Sequence, residues 1–181
     1  MGNSKNYIFS IIIIVVLIFV FSCKKPSNYP DTPQIDFYKL YIVDSIDTLG
    51  NPTKYQFINF RVIDGDGNVG VKQEDSTINL FIKLFKKTNG AYEEFVSEPP
   101  LNFRIPYTDP VGLDDFFKAE ISVELFYTTI DYYKSLFDTI MYSFYIMDRD
   151  SNFSNIENTF DIPEDFVGYL IDTTAFVPTE L

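Results

Sequence analysis

Apolar and polar side chains alternate with a period of two along most of the chain from residue 37 onward. This period is typical of β-strands that bury one face. The first such stretch, residues 37–43, groups Tyr38, Leu40 and Ile42 on one face. Its other face carries Phe37, Lys39, Tyr41 and Val43. The pattern predicts a strand with an apolar inner face.

Four further long stretches, residues 55–63, 77–85, 118–127 and 140–147, show the same alternation. Their predicted inner faces comprise Ile58, Phe60 and Val62; Ile78, Leu80, Ile82 and Leu84; Ala119, Ile121, Val123, Leu125 and Tyr127; and Ile140, Tyr142, Phe144 and Ile146. Shorter candidates are 92–96, 101–107 and 156–162. About eight strands separated by turn signals predict an all-β fold, a single antiparallel immunoglobulin-like β-sandwich. Helix is expected at most as a turn or two at 114–118 and at 132–137, and residues 164–171 are expected to form either a short closing helix or a last strand.

The amino-terminal segment has a different pattern. Lys5 precedes a run of 14 residues, Ile8 to Phe21, that is apolar except for Ser10, and Cys23 follows soon after. A charged start, a short apolar run and a small residue at the boundary are features of a secretory signal. The run is shorter than the roughly 20 apolar residues that a membrane-spanning helix needs.

These boundaries divide the chain into four parts. Residues 1–22 are predicted to be a signal peptide, and 23–34, with three prolines, a flexible tether. Residues 35–165 form the sandwich, and 166–181 form a tail or a closing element. Cys23 is the chain's only cysteine, so no internal disulfide can form.

Charge limits the choice of partners. The chain holds 26 acidic and 14 basic residues, for a net charge of −12. Nucleic-acid binding requires a basic face, and none is visible, so nucleic acid is not expected as a partner. Net negative charge also keeps a protein soluble without any specific role.

Two Asp/Asn-rich turns repeat one pattern 84 residues apart. Phe60 to Gly70 aligns without gaps with Phe144 to Ser154 through Phe-x-(Val/Ile)-(Ile/Met)-Asp-x-Asp-x-Asn. Either turn can be purely structural, because Asp and Asn bond their own backbone. In the first, Asp64, Asp66 and Asn68 also offer oxygen ligands at alternate positions, with Asp75 or Glu74 completing a loose calcium site. The helix–loop–helix calcium loop is rejected because Val69 stands where its glycine is required and strands flank the turn.

The second turn, with Arg149 between its acids, is the weaker candidate for a cation. The repeat also allows two small consecutive domains. Only 29 residues, 35–63, lie between the tether and Asp64, however, which is too few for a complete sandwich. One domain is therefore predicted.

Some of these motifs resemble known proteins. Val20-Phe-Ser-Cys23 resembles the bacterial lipobox, in which cleavage exposes a cysteine that carries acyl chains. Together with the Asp64-to-Gly70 turn, Asn102 to Tyr107, and Asp148-Arg-Asp, it resembles Bacteroidota-type outer-membrane lipoproteins that have no assigned activity. The resemblance implies covalent lipid on Cys23 and a place on the outer membrane. In surface-exported members of that group, acids closely follow the cysteine. Here Lys24 and Lys25 come first, so the periplasmic face is slightly favoured.

Three function classes remain. An enzyme has the least support, because the chain has no histidine and its cysteine is predicted to be acylated. No catalytic residues and no required cofactor are predicted. A non-catalytic envelope module that contacts another protein needs only an anchor, a tether and strand edges open to pairing, and it is the leading hypothesis. The alternative is a surface module that binds a glycan or peptide, with candidate aromatic residues Phe116, Phe117, Tyr127, Tyr132, Tyr133 and Tyr145; a contiguous exposed aromatic patch would favour it.

Overall fold

A computed structural model describes residues 29–108, 116–127, 139–163 and 165–171. Within these ranges the fold is all-β and antiparallel, and it contains no helix. No described helix could therefore cross a membrane. The ten strands are β1 (Gln34–Ile46), β2 (Pro52–Asp64), β3 (Leu80–Thr88), β4 (Ala91–Phe95), β5 (Asn102–Phe103), β6 (Phe117–Tyr127), β7 (Thr139–Ile146), β8 (Glu157–Asn158), β9 (Ile162–Pro163) and β10 (Gly168–Ile171).

The strands form two sheets in an immunoglobulin-like order. The first sheet runs β10-β1-β2-β6, and the second runs β4-β3-β7-β8, with β5 on β3 and β9 on β7. If β1 and β2 are equated with strands A and B, then β3 and β4 are C and C′, β6 is E, β7 is F and β8 is G. The resulting orders, A-B-E and C′-C-F-G, are those of the immunoglobulin-like sandwich. The predicted fold class is confirmed.

The inner faces of the two sheets supply one core. Ile58, Phe60 and Val62 are fully buried, as are Tyr142, Phe144 and Ile146 on the opposite sheet. The ring of Phe144 lies 5.0 Å from that of Phe60 and 6.3 Å from that of Phe37, measured between centroids. These three rings join the middle of β7 to β2 and β1, so the sheets are held together at their centres.

The inner face of β1 differs from the prediction. Phe37 is buried together with Leu40 and Ile42, whereas Tyr38 is only partly buried. The cause is an irregularity of register between Phe37 and Lys39 in the pairing with β2. An extra residue in one strand reverses the faces on either side of it. The prediction that Tyr38 shares the inner face was therefore wrong.

Two other inner-face predictions also change. Ile78 is 39% exposed because β3 begins only at Leu80. On β6, Val123 and Leu125 are buried, whereas Ala119 and Ile121 are only partly so. The side chain of Tyr127, and residues 132–137, where a helical turn is predicted, lie outside what the structure describes.

The packed part of the chain extends beyond residues 35–165 at both ends. Pro33 is buried, and the Pro30 carbonyl accepts a hydrogen bond of 2.8 Å from the amide of Gly65. At the other end, β10 pairs with β1 through Leu40 and Leu170. Of the two alternatives for this segment, the last strand is the one that forms, since residues 168–171 extend the first sheet.

A candidate cation centre between two turns

The two repeated turns lie against each other. Asp64 ends β2, and Asp148 stands two residues after the end of β7, on the facing sheet. The Arg149 amide and its Nε both donate to the Asn68 carbonyl, at 3.2 and 3.0 Å. The 84-residue repeat is therefore a pair of neighbours in space.

Both turns have the same internal geometry. The amide of Asn68 donates to Asp64 Oδ2 at 2.8 Å, and that of Asn152 donates to Asp148 Oδ1 at 2.7 Å. The residue before each asparagine has a left-handed backbone, with φ of 69° at Gly67 and 68° at Ser151. Glycine adopts this conformation without strain, and Ser151 is held in it by the turn. The structural role of the repeat is thus plain in both copies.

Gly70 lets the end of the first turn lie directly against the backbone around Pro106. Val71 pairs through its backbone with both sides of Pro106: its amide donates to the Ile105 carbonyl at 3.1 Å, and its carbonyl accepts from the Tyr107 amide at 2.8 Å. A Cβ on Gly70 would lie 2.8 Å from the Pro106 oxygen. Only glycine allows this close approach of two backbone segments.

Asn79 holds the same region from inside. Its side chain is buried, with Nδ2 donating to the Val69 carbonyl and Oδ1 accepting from the Ile105 amide, both at 2.7 Å. Asn79 thereby pairs one buried backbone group on each of two neighbouring segments, the one that follows the turn and the one around Ile105.

Three carboxylates converge where the turns meet. Asp64, Asp66 and Asp148 each place one carboxylate oxygen within 4.8 Å of the others. Two ligands at 2.3–2.6 Å from one calcium ion are separated by at most about 5 Å, so these three oxygens are close enough to share one ion. Asp64 and Asp148 are buried, whereas Asp66 is exposed and leaves a side open to solvent.

Two buried oxygens in this cluster are unpaired. Asp64 Oδ1 and Asn68 Oδ1 have no hydrogen-bond partner among the described residues. Asp64 is fully buried, and Asn68 is 8% exposed. Leaving a buried acceptor unpaired costs about 1–3 kcal/mol, and more when the acceptor is charged, so a bound cation would relieve a substantial penalty.

The surrounding charge is also unbalanced. The side-chain Nδ2 of Asn68 donates to Asp66 Oδ2 at 2.9 Å and to Asp150 Oδ2 at 3.1 Å, so a fourth carboxylate lies beside the cluster. Arg149 is the nearby cation, but its guanidinium lies over the ring of Tyr107 at 5.8 Å. Among the described residues it makes no ion pair with these acids. Burial, reinforced by the charges of Asp66 and Asp148, raises the pKa of Asp64 to about 7.

The structure brings together only some of the predicted ligands. Asp64, Asp66 and Asn68 lie at the cluster, but Asp75 is not part of it. Asp75 Oδ1 accepts hydrogen bonds from the amide and hydroxyl of Thr77, at 2.8 and 2.6 Å. Asp148, which the sequence had placed in a separate and weaker site, stands with the first turn instead. The sequence repeat could have indicated that Asp148 lies near Asp64. The two copies end β2 and β7, which correspond to strands B and F, and those strands face each other in an immunoglobulin-like sandwich.

A row of aromatic residues crosses the outer face of the first sheet, with one exposed ring, Tyr169, and two partly buried ones, Tyr41 and Phe57. Tyr169, Tyr41 and Phe57 are in register on β10, β1 and β2. Neighbouring rings are stacked at 4.4 and 5.7 Å, with interplanar angles of 15° and 21°. Rings stacked in this way present their faces to each other and their edges to solvent. The row is a cross-strand ladder, which stabilises the sheet.

Of the aromatic residues singled out from the sequence, the three whose side chains the structure describes do not form one patch. Phe117 packs against the core, Phe116 lies near Tyr29, and Tyr145 stacks on Phe81 at 5.1 Å. Tyr132 and Tyr133 lie outside the described residues. In the stacked aromatic rows that the structure describes, ring faces pack against neighbouring rings. Faces covered in this way cannot stack on a sugar, which disfavours a glycan-binding platform.

Comparison of the chain with protein-family models, with curated proteins and with solved structures found no match.

Proposed function

We propose that the protein is a non-catalytic module of the bacterial cell envelope, lipid-anchored to the outer membrane through Cys23, stabilised by calcium, and acting through contact with another protein. The observation that carries the proposal is the convergence of Asp64, Asp66 and Asp148 around buried, unpaired oxygens. The anchor and the slight preference for the periplasmic face are supported by the sequence around Cys23, Lys24 and Lys25.

Calcium suits the chemistry of this cluster. Its candidate ligands are carboxylate and amide oxygens, which bind hard cations. Calcium tolerates the irregular geometry of ligands drawn from two separate turns, whereas magnesium demands a near-ideal octahedron. The ion would tie the end of β2 to the segment after β7, and thereby join the two sheets at one end of the sandwich.

A protein partner fits the surface better than a glycan. The Tyr169–Tyr41–Phe57 row on the outer face has its ring faces stacked on one another. The edges of the sandwich, by contrast, offer backbone groups that can pair with an added strand.

Calcium is expected to raise the unfolding temperature of the purified full chain in mild detergent. At about 100 times the dissociation constant, a ligand that binds only the native state adds about 2.7 kcal/mol. For a chain of this size that corresponds to roughly 5–10 °C. Scanning calorimetry in calcium and in chelator measures the shift. Magnesium at the same concentration is the control, and an equal shift in both would contradict a calcium-selective site.

The anchor has its own test. Cells grown with a fatty-acid analogue that can be tagged should incorporate it into the wild-type chain. Cys23→Ser should abolish the label, because no other thiol is available. Label retained by Cys23→Ser would contradict lipidation at this residue.

A further inference from the structure

The free edge of β6 lies where an immunoglobulin-like sandwich often has another strand. β6 pairs along its full length with β2, from Lys54–Tyr127 to Asp64–Phe117. Strand D normally lies on the other side of strand E, which is β6 here. Within the described ranges no strand takes that place. Among the described residues this edge pairs with no strand, so its backbone groups have no strand partner there, and an edge of this kind can accept an incoming strand.

An apolar cleft opens beside this edge. It has a volume of about 420 Å³ and lies between β6 and the segment that follows β5. Its lining includes Phe103, Ile105, Ile121 and Val123. Ala119 and Ile121, which point toward the interior, are only partly buried. A strand added to β6 would cover these side chains as well as pair with the edge.

The sequence of β6 is complementary to itself. When two copies run antiparallel about Ile121, Lys118 of each faces Glu124 of the other, and Ala119 faces Val123. The remaining pairs in this register are Glu120 with Ser122, Phe117 with Leu125, and Ile121 with Ile121. Opposite charges across neighbouring strands stabilise a sheet, and like charges destabilise it.

Neighbouring registers lack this match. Centring on Ser122 places Glu120 opposite Glu124, and centring on Glu120 places that residue opposite itself. In the Ile121 register, Glu120 is already compensated within its own chain, because Arg61 Nε lies 3.4 Å from its Oε1. Lys118 and Glu124 make no ion pair within the described part of the chain, so both are available to a partner.

We propose that this protein forms a two-fold dimer in which the β6 edges of two copies pair antiparallel about Ile121. The inference rests on the proposed protein-contact function and names its partner, a second copy of this chain. The interface is isologous, so each Lys118–Glu124 contact occurs twice. Pairing joins the two first sheets into one continuous sheet, with each β6 in the strand D position of the other copy.

The test uses two differently tagged full-length copies, solubilised together from membranes in mild detergent. Wild-type copies should capture each other. Lys118→Glu alone places two glutamates opposite each other at both contacts, and Glu124→Lys alone does the same with two lysines. Each single variant should lose roughly ten-fold in self-capture, because two attractive pairs become two repulsive ones. Lys72→Glu, at an exposed lysine outside β6, should capture like the wild type.

Mixing the two single variants provides the decisive arm. A Lys118→Glu copy paired with a Glu124→Lys copy restores opposite charges at both contacts, so capture should return. This recovery would also show that each variant is folded. No capture between wild-type copies, or self-capture unchanged by either substitution, would overturn the dimer. Calcium binding and the Cys23 anchor are measured separately, so this failure would be distinguishable from failure of the proposed function.

Discussion

Replacing Asp64 by asparagine is expected to stabilise the calcium-free protein and to remove its response to calcium. Asp64 is fully buried, its Oδ1 is unpaired, and Asp66 and Asp148 lie beside it. An asparagine keeps an acceptor for the Asn68 amide, removes the buried charge, and adds an NH₂ group that can donate to the neighbouring carboxylates. The same change deletes one of the three proposed ligands.

The pH dependence gives the sign and size of this effect. Burial raises the pKa of Asp64 to about 7, so between about pH 4 and pH 7 the native state holds a proton that the unfolded state has lost. The free energy of unfolding of the chelated wild type should therefore fall as pH rises through that window. A shift of this size corresponds to a loss of about 4 kcal/mol, as an order of magnitude. Asp64→Asn should remove that loss.

Urea unfolding in chelator across this pH range measures both proteins. Asp75→Asn is the matched control, since hydrogen bonds from Thr77 lower the pKa of Asp75 and its charge is therefore stabilising above the unfolded pKa. The control should lose stability at pH 8, whereas Asp64→Asn should gain it. A less stable Asp64→Asn protein at pH 8 in chelator would contradict the description of this cluster as strained by unbalanced charge.

Phe144→Ala is expected to lower the free energy of unfolding by about 3–5 kcal/mol. The ring is fully buried and contacts Phe37 and Phe60 on the opposite sheet. Its removal leaves a cavity at the centre of the sandwich, which the surrounding strands can only partly fill. Domains of this kind are typically stable by about 5–15 kcal/mol, so the variant will be close to unfolding.

Phe153→Ala is the matched control for this cavity. It deletes the same side chain from a position that is 55% exposed, where the ring makes an edge contact with Tyr145. Its expected cost is about 1 kcal/mol, the size of an aromatic pair. Chemical denaturation of both variants gives the comparison. Equal costs would mean that the sheets are not held together through Phe144.

Much of this fold follows from the period of the sequence. Ile58, Phe60 and Val62 alternate with polar residues, and burying one face of a strand requires that alternation. The reversal at Phe37 does not follow, because a bulge inserts one residue without any local change in composition. The candidate strands at 101–107 and 156–162 contain only short strands, β5 in the first and β8 and the start of β9 in the second, because the extent of each depends on pairing with β3 or β7.

The candidate site, like the fold, could be predicted only in part from the sequence. Asp64, Asp66 and Asn68 are close in sequence, and their spacing alone indicated oxygen ligands. Asp148 lies 84 residues away and joins them only because β2 and β7 face each other across the sandwich. Asp75 is nearer in sequence, but Thr77 holds its carboxylate elsewhere. Separation along the chain is a poor guide to proximity once a fold crosses between sheets.

A calorimetric titration of the chelated full chain with calcium tests the central claim most directly. We expect one calcium ion to bind per chain. Binding should be lost in Asp64→Asn and retained in Asp75→Asn. Extracellular calcium modules bind with dissociation constants of about 10⁻⁴–10⁻³ M, so the titration must extend to millimolar calcium. The absence of calcium-dependent heat at those concentrations, or heat that Asp64→Asn leaves unchanged, would contradict it.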